Sequence, residues 1–217
     1  PRLAERIRLG TFEEDLDRIA AADWVVEAIV ERLEPKQELL ARVEKLVGPD
    51  AVVSSNTSGL PLASLAEGRS EGFRRRFLGT HFFNPPRYLK LVELIPTADT
   101  DPEVLEGMRS FAERVLGKGA VVAKDTPNFI ANRLGSFAGM HDVRYALGHG
   151  YSIEEVDALT GPLVGRPKTA TFRLFDQVGL DVMVGVAGNL YELAPEDESR
   201  DVLPAPDVLK RMLEARL

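Results

Sequence analysis

The chain holds 217 residues, room for one large domain or two small ones, each able to bury a core. Lys and Arg number 27 against 34 Asp and Glu, a net charge of −7 that offers nothing to attract a nucleic-acid backbone or an anionic membrane surface. Cysteine is absent and histidine scarce, no signal peptide opens the chain, and no apolar run nears the roughly twenty residues that span a bilayer, so disulfides and cysteine chemistry are excluded and a cytoplasmic protein without a metal is expected.

The first elements alternate. Leu9-Gly10-Thr11-Phe12 reads as the end of a strand, and Glu13 to Ala22 as a polar helix. Trp24 to Val30 is mostly apolar and β-branched, the pattern of a strand buried on both faces. Pro35 stands where a first-turn proline is tolerated. Leu39, Leu40, Val43, Leu46 and Val47 then recur at helical spacing until Gly48-Pro49-Asp50. Ala51 to Ser54 is another short strand. Phe77 to Phe83 and Lys90 to Ile95 are two more, parted by the turn signal Asn84-Pro85-Pro86-Arg87. Asp101-Pro102 opens a helix to about Leu116, and Ala120 to Ala123 is the last strand.

The character changes at Lys124. From Pro127 onward only helical patterns occur, broken at Gly148-His149-Gly150, Gly161-Pro162 and Gly165-Arg166-Pro167. Alternating strands and helices predict a doubly wound α/β sheet over residues 1–123, followed by an all-α domain over residues 124–217. No internal repeat or low-complexity segment is present.

A dinucleotide-binding half ordinarily shows a strand running into Gly-x-Gly-x-x-Gly at a helix start, where backbone N–H groups hold the pyrophosphate. No such motif occurs in these residues, and the chain opens with Pro1-Arg2-Leu3 as if inside an α/β domain. A sheet without its first strands has an unpaired apolar edge. The expectation is therefore a fragment, or a protein whose remaining part is supplied elsewhere.

Four segments are too polar for their surroundings. Ser55-Asn56-Thr57-Ser58 follows a buried strand, at the carboxyl end where open α/β sheets bind ligands; a turn and helix cap explains the same residues. His81 stands in an apolar strand, where a core histidine is the commoner finding. Glu93 is the only acid in the following strand, and it reaches His81 if the two strands fold back on each other. A carboxylate on one imidazole nitrogen fixes the tautomer and leaves the other as a base. Asp125 to Arg133 lies at the junction of the two parts, and Asn132 within it either points into a cleft or is a solvated helix residue. Glu31 and Lys36 follow the first long strand and read as surface charges, while His141 and His149 carry no partner pattern.

Taken together, these segments resemble the L-3-hydroxyacyl-CoA dehydrogenase family of fatty-acid β-oxidation. The resemblance rests on Val25 to Glu31, Ser55 to Ser58, His81 to Pro85, Lys90 to Glu93, Asp125-Thr126-Pro127 with Phe129-Ile130 and Asn132-Arg133, and Val178 to Asp181, in the family's order. It implies a partial Rossmann-like domain followed by a helical substrate-binding and dimerisation domain, with NAD as cofactor and an acyl-CoA as substrate. By the same resemblance His81 is the general base toward the 3-hydroxyl, and Glu93 orients its imidazolium. Ser58 and Asn132 hold the oxygen that becomes a carbonyl. Glu31, Lys36, Ser58 and Asn84 match positions at the cofactor, and a homodimer follows. Gly165 to Phe172 looks like the long, multifunctional branch, which can carry an enoyl-CoA hydratase unit. The alternative is a non-catalytic assembly or acyl-CoA-binding module that never binds NAD. A reductase for another hydroxy acid is disfavoured by the joint presence of the His81 and Glu93 segments.

Overall fold

The computed structural model describes residues 3–215. The chain packs as two compact units divided after Phe129. The first is built on β1 (Trp24–Glu27), α1 (Leu33–Glu44), β2 (Val52–Ser55), α2 (Leu62–Leu65), α3 (Glu71–Arg75), β3 (Phe77–Phe82), β4 (Leu91–Pro96), α4 (Pro102–Arg114) and β5 (Gly119–Val122). The five strands lie side by side in chain order. All neighbours are parallel except β3 and β4, which run antiparallel across the short connection of residues 83–90.

Strand side chains alternate between faces, and the alternation sorts the core. Val25, Val53, Phe77 and Ile95 pack beneath α1, α2 and α3 with Leu40, Leu62, Leu65 and Phe73. Trp24, Val52, Leu78, Val92 and Leu94 face the other way, against Met108 and Ala112 of α4. Helices therefore cover both faces, as a doubly wound layer requires. Each fully buried Leu or Phe contributes about 1.5–3 kcal/mol from apolar burial. Gly79 lets α2 approach: a Cβ there would lie 3.0 Å from Ile95 Cδ1 and 3.3 Å from Leu62 Cδ2.

Three expectations are corrected. Leu9–Phe12 is not a strand end, because the Thr11 N–H bonds Asp15 Oδ2 (2.8 Å) and the Glu14 N–H bonds the Thr11 hydroxyl (3.1 Å), closing a local turn in place of a ladder. The helix expected over residues 13–22 is a short 3-10 helix, Leu16–Ala21. The strand expected over Trp24 to Val30 with both faces buried is shorter, Trp24–Glu27, and Val26 on one face is 40% exposed; among the described residues it pairs only with β2, the unpaired edge expected of this sheet. It stops at Glu27 because that carboxylate takes the Ile29 N–H at 2.6 Å and turns the chain out of the ladder.

The second unit contains α5 (Ala131–His149), α6 (Ile153–Leu159), α7 (Phe172–Val178), α8 (Leu180–Leu193) and α9 (Asp207–Glu214), with no strand among its described residues. Gly150, at φ 71°, ends α5 in the left-handed conformation that disfavours other residues. Ser152 and Glu155 form a reciprocal capping box on α6. Met140, Val143, Phe175, Ala187 and Leu209 form its core. The segment 124–129, read from sequence with the helical part, packs with the first unit: Asp125 caps α2 through the N–H groups of Leu62 (2.8 Å) and Ala63 (2.9 Å), and Phe129 joins the first core. No helix among the described residues is long and apolar enough to cross a membrane.

Candidate active site

One face of the sheet collects polar groups at one end. Glu27, Ser55 and His81 share the face that carries α1, at the carboxyl ends of β1, β2 and β3. Glu93 sits on the same face near the start of β4, directly opposite His81 in the antiparallel ladder. Ligands in open α/β sheets bind beyond the strands' carboxyl ends, so this is the expected address of a site.

The connection of residues 83–90 folds β3 and β4 back on each other, and His81 Nδ1 lies 2.7 Å from Glu93 Oε2. His81 is 4% exposed and Glu93 fully buried. The ring lies 4.5 Å from Phe83 and 5.6 Å from Phe129, centroid to centroid. Nδ1 carries the proton when it donates to the carboxylate, so the neutral ring presents Nε2 as an acceptor. Nε2 has no hydrogen-bond partner among the described residues.

The Ser55–Ser58 segment is a constructed loop rather than a simple turn. The Asn56 N–H donates to the Glu27 carbonyl (2.7 Å), and Asn56 Oδ1 accepts the Phe82 N–H (2.9 Å), tying the ends of β1, β2 and β3 together. Glu31 Oε1 accepts three bonds from the loop: the Thr57 hydroxyl (2.6 Å) and the N–H groups of Ser58 (2.7 Å) and Gly59 (3.2 Å). Burial alone would raise the Glu31 carboxyl, but the Thr57 hydroxyl, the Ser58 N–H and Lys36 outweigh it and hold the group below the ordinary glutamate range. Ser58 itself is exposed.

Lys36 is not the surface charge its spacing indicates. Only 1% of its side chain is exposed, and Nζ meets Glu27 Oε1 (2.7 Å), the Ile29 carbonyl (3.2 Å) and Glu31 Oε2 (3.3 Å). Burial of an ammonium is costly, and here two carboxylates and a carbonyl compensate it. Glu31 stays 44% exposed at its side chain. Asn84, exposed beyond β3, joins Pro85 through a cis peptide bond. Asn132 is half-buried in the first turn of α5, in the other unit. Sequence spacing gave no sign of Glu27, which looks like one more strand residue; its signal is an acid standing at a core position. Among the described residues no group of three His, Cys, Asp or Glu is placed to hold a metal.

Comparison with known proteins gives this geometry a context. Residues 1–126 match the family model described as 3-hydroxyacyl-CoA dehydrogenase, NAD binding domain, and residues 129–217 match that of its C-terminal domain. A probable 3-hydroxyacyl-CoA dehydrogenase of Bacillus subtilis is 51% identical over 205 residues, covering 94% of this chain and 26% of the relative. A putative fatty acid oxidation complex trifunctional enzyme of Rickettsia felis is 38% identical over 212 residues, covering 97% of this chain and 29% of the relative. Thus the chain spans little more than a quarter of either protein. The crystal structure of M. tuberculosis FadB2 superposes with a TM-score of 0.82 at 34% identity, covering 93% of this chain and 69% of that one. With both family models filling nearly the whole sequence, the chain belongs to the 3-hydroxyacyl-CoA dehydrogenase family.

Proposed function

We propose that this chain carries catalytic machinery for the NAD-dependent interconversion of L-3-hydroxyacyl-CoA and 3-oxoacyl-CoA in fatty-acid β-oxidation. The observation that carries it is the buried His81–Glu93 pair at the carboxyl end of the sheet. A carboxylate buried against an imidazole is poor value for stability alone, since well-packed apolar residues of similar volume serve as well or better. Catalysis is where such a pair is worth its cost.

Each residue takes a role its surroundings allow. His81 Nε2 accepts the proton of the 3-hydroxyl, and Glu93 holds the tautomer and stabilises the imidazolium that results. The exposed Ser58 donates a hydrogen bond to the oxygen as it becomes a carbonyl, and the family resemblance gives Asn132 the same role. NAD, when bound, supplies the acceptor for the hydride that leaves C3. The residues present fit its nicotinamide and ribose end: Glu31 keeps an exposed carboxylate edge for hydroxyl groups, and Asn84 and Ser58 offer polar contacts beside it. Lys36, being buried, serves that end through Glu31. No glycine-rich phosphate cradle is among these 217 residues, and no pyrophosphate contact is assigned.

Residues 1–123 would then serve the cofactor and residues 124–217 the acyl-CoA and a homodimer contact. The dimer is supported by exposed apolar side chains on the helical unit, among them Leu134, Leu147, Leu159, Leu163 and Val164. A cytoplasmic setting agrees with the chain's composition and with its bacterial relatives. The direct test is oxidation of NADH by acetoacetyl-CoA with the protein and its His81→Ala variant. A loss of about 10²–10⁴-fold with an unchanged circular dichroism spectrum is expected. Near-normal turnover in the variant removes His81 from its role.

A further inference from the structure

Two hydrogen-bond routes leave the Glu27 carboxylate and end at the loop that bears Ser58. Oε1 accepts from Lys36 Nζ at 2.7 Å, and the same ammonium reaches Glu31 Oε2 at 3.3 Å. Glu31 Oε1 then receives the Thr57 hydroxyl and the N–H groups of Ser58 and Gly59. The other route is shorter. Oε2 accepts the Ser55 hydroxyl, whose oxygen in turn accepts the Thr57 N–H at 3.2 Å. Lys36, the Ile29 N–H and the Ser55 hydroxyl all donate to the Glu27 side chain, the pattern of a carboxylate.

We propose that Glu27 is a positioning residue that sets the place of Ser58, acting through Lys36 and Glu31 on one side and through Ser55 on the other. Glu27 is itself buried, with its carboxylate taken up by these three donors, so the role assigned to it is exercised through its neighbours. Its negative charge is what makes the relay directional. It fixes the ammonium, which leaves Glu31 one oxygen turned to Lys36 and the other turned to the loop. An amide at position 27 keeps the shape and part of the Ser55 contact but places no charge beside Lys36, which then meets only one carboxylate. The relevance of this relay to turnover rests on the role given to Ser58 above.

The experiment is amide hydrogen exchange followed by NMR on the purified chain, comparing the original protein with Glu27→Gln, Glu31→Gln and Ser55→Ala. Glu27→Gln is expected to speed exchange at Ser58 and Gly59 about tenfold while amides in β3 and α4 stay as they were. Glu31→Gln should do the same. Ser55→Ala cuts only the shorter route, and should expose the Thr57 amide while leaving Ser58 and Gly59 protected. In the original protein, protection at Ser58 should persist as pH falls below the ordinary carboxylate range, because the Thr57 hydroxyl, the Ser58 N–H and Lys36 hold the Glu31 carboxyl low. Unchanged Ser58 and Gly59 exchange in Glu27→Gln, with protection of both lost in Glu31→Gln, overturns the relay. A parallel assay with acetoacetyl-CoA and NADH separates the two claims. A fall in kcat without a matching rise in the KM for NADH supports positioning of Ser58 at the reacting oxygen. Altered exchange with unaltered kinetics would leave the relay standing and remove Ser58 from the chemistry.

Discussion

His81 shows how neighbours fix the hydrogen-bonding form of a single side chain. Two aromatic rings and the sheet exclude water from most of it, and one carboxylate decides which nitrogen holds the proton. Glu31 sits at the opposite extreme, half in solvent, yet its carboxyl is held below the ordinary range by donors from the Thr57–Gly59 loop and by Lys36. A carboxyl whose folded value lies below its unfolded one adds stability above the ordinary range and loses it as pH falls through the lowered value. Urea melts of the original protein and of Glu31→Gln should therefore differ most near neutral pH and converge in acid. Parallel curves across the whole range would show that the Glu31 contacts carry no such linkage. These partners are also where the sequence was least legible. His81 and Glu93 stand out because each is a lone polar residue in an apolar run, and the turn between their strands pairs them. Lys36 and Glu27 look ordinary by spacing, since burial of a charge depends on which distant groups surround it.

At the scale of elements, local chemistry settles most boundaries. Asp101 caps α4 ahead of Pro102, and the strands from β2 to β5 lie within a residue or so of where their apolar runs place them. The short helices α2 and α3 left no periodic trace, being only 4 and 5 residues long. Helix α7 depends on a distant cap: buried Asp157 in α6 accepts the N–H groups of Thr171 (3.1 Å), Phe172 (2.7 Å) and Arg173 (3.2 Å). No residue beside α7 announces it, because the capping acid lies a whole helix earlier in the chain. Asp157→Ala leaves three donors without their acceptor and should cost about 2–3 kcal/mol. Chemical denaturation monitored by circular dichroism would show this as a lower midpoint with the slope retained. An unshifted midpoint would mean that water replaces the carboxylate at no cost.

On the scale of the whole molecule, the first unit is organised around a sheet and the second around helices. The exposed apolar side chains of the second unit are the expected contact with another copy. Sedimentation velocity should return twice the chain mass, falling to a single chain when Leu147 and Leu163 are both changed to Glu. A single-chain mass for the original protein across micromolar concentrations would contradict the dimer. The α/β and all-α division could be read from sequence because strand and helix periods differ. The end of the first unit could not, because residues 124–129 have no period and are placed by side-chain contacts such as that of Asp125 with α2.

The common facing of Glu27, Ser55, His81 and Glu93 has a consequence for how this sheet can change over generations. Adding or deleting one residue inside β1, β2, β3 or β4 reverses the facing of everything after it in that strand. Such an event would swing a reactive group toward α4 and an apolar one toward the ligand end, spoiling core and chemistry together. Length variation among working descendants must therefore collect in the connections, while the strands keep a fixed count of residues and vary only in which side chain fills each place.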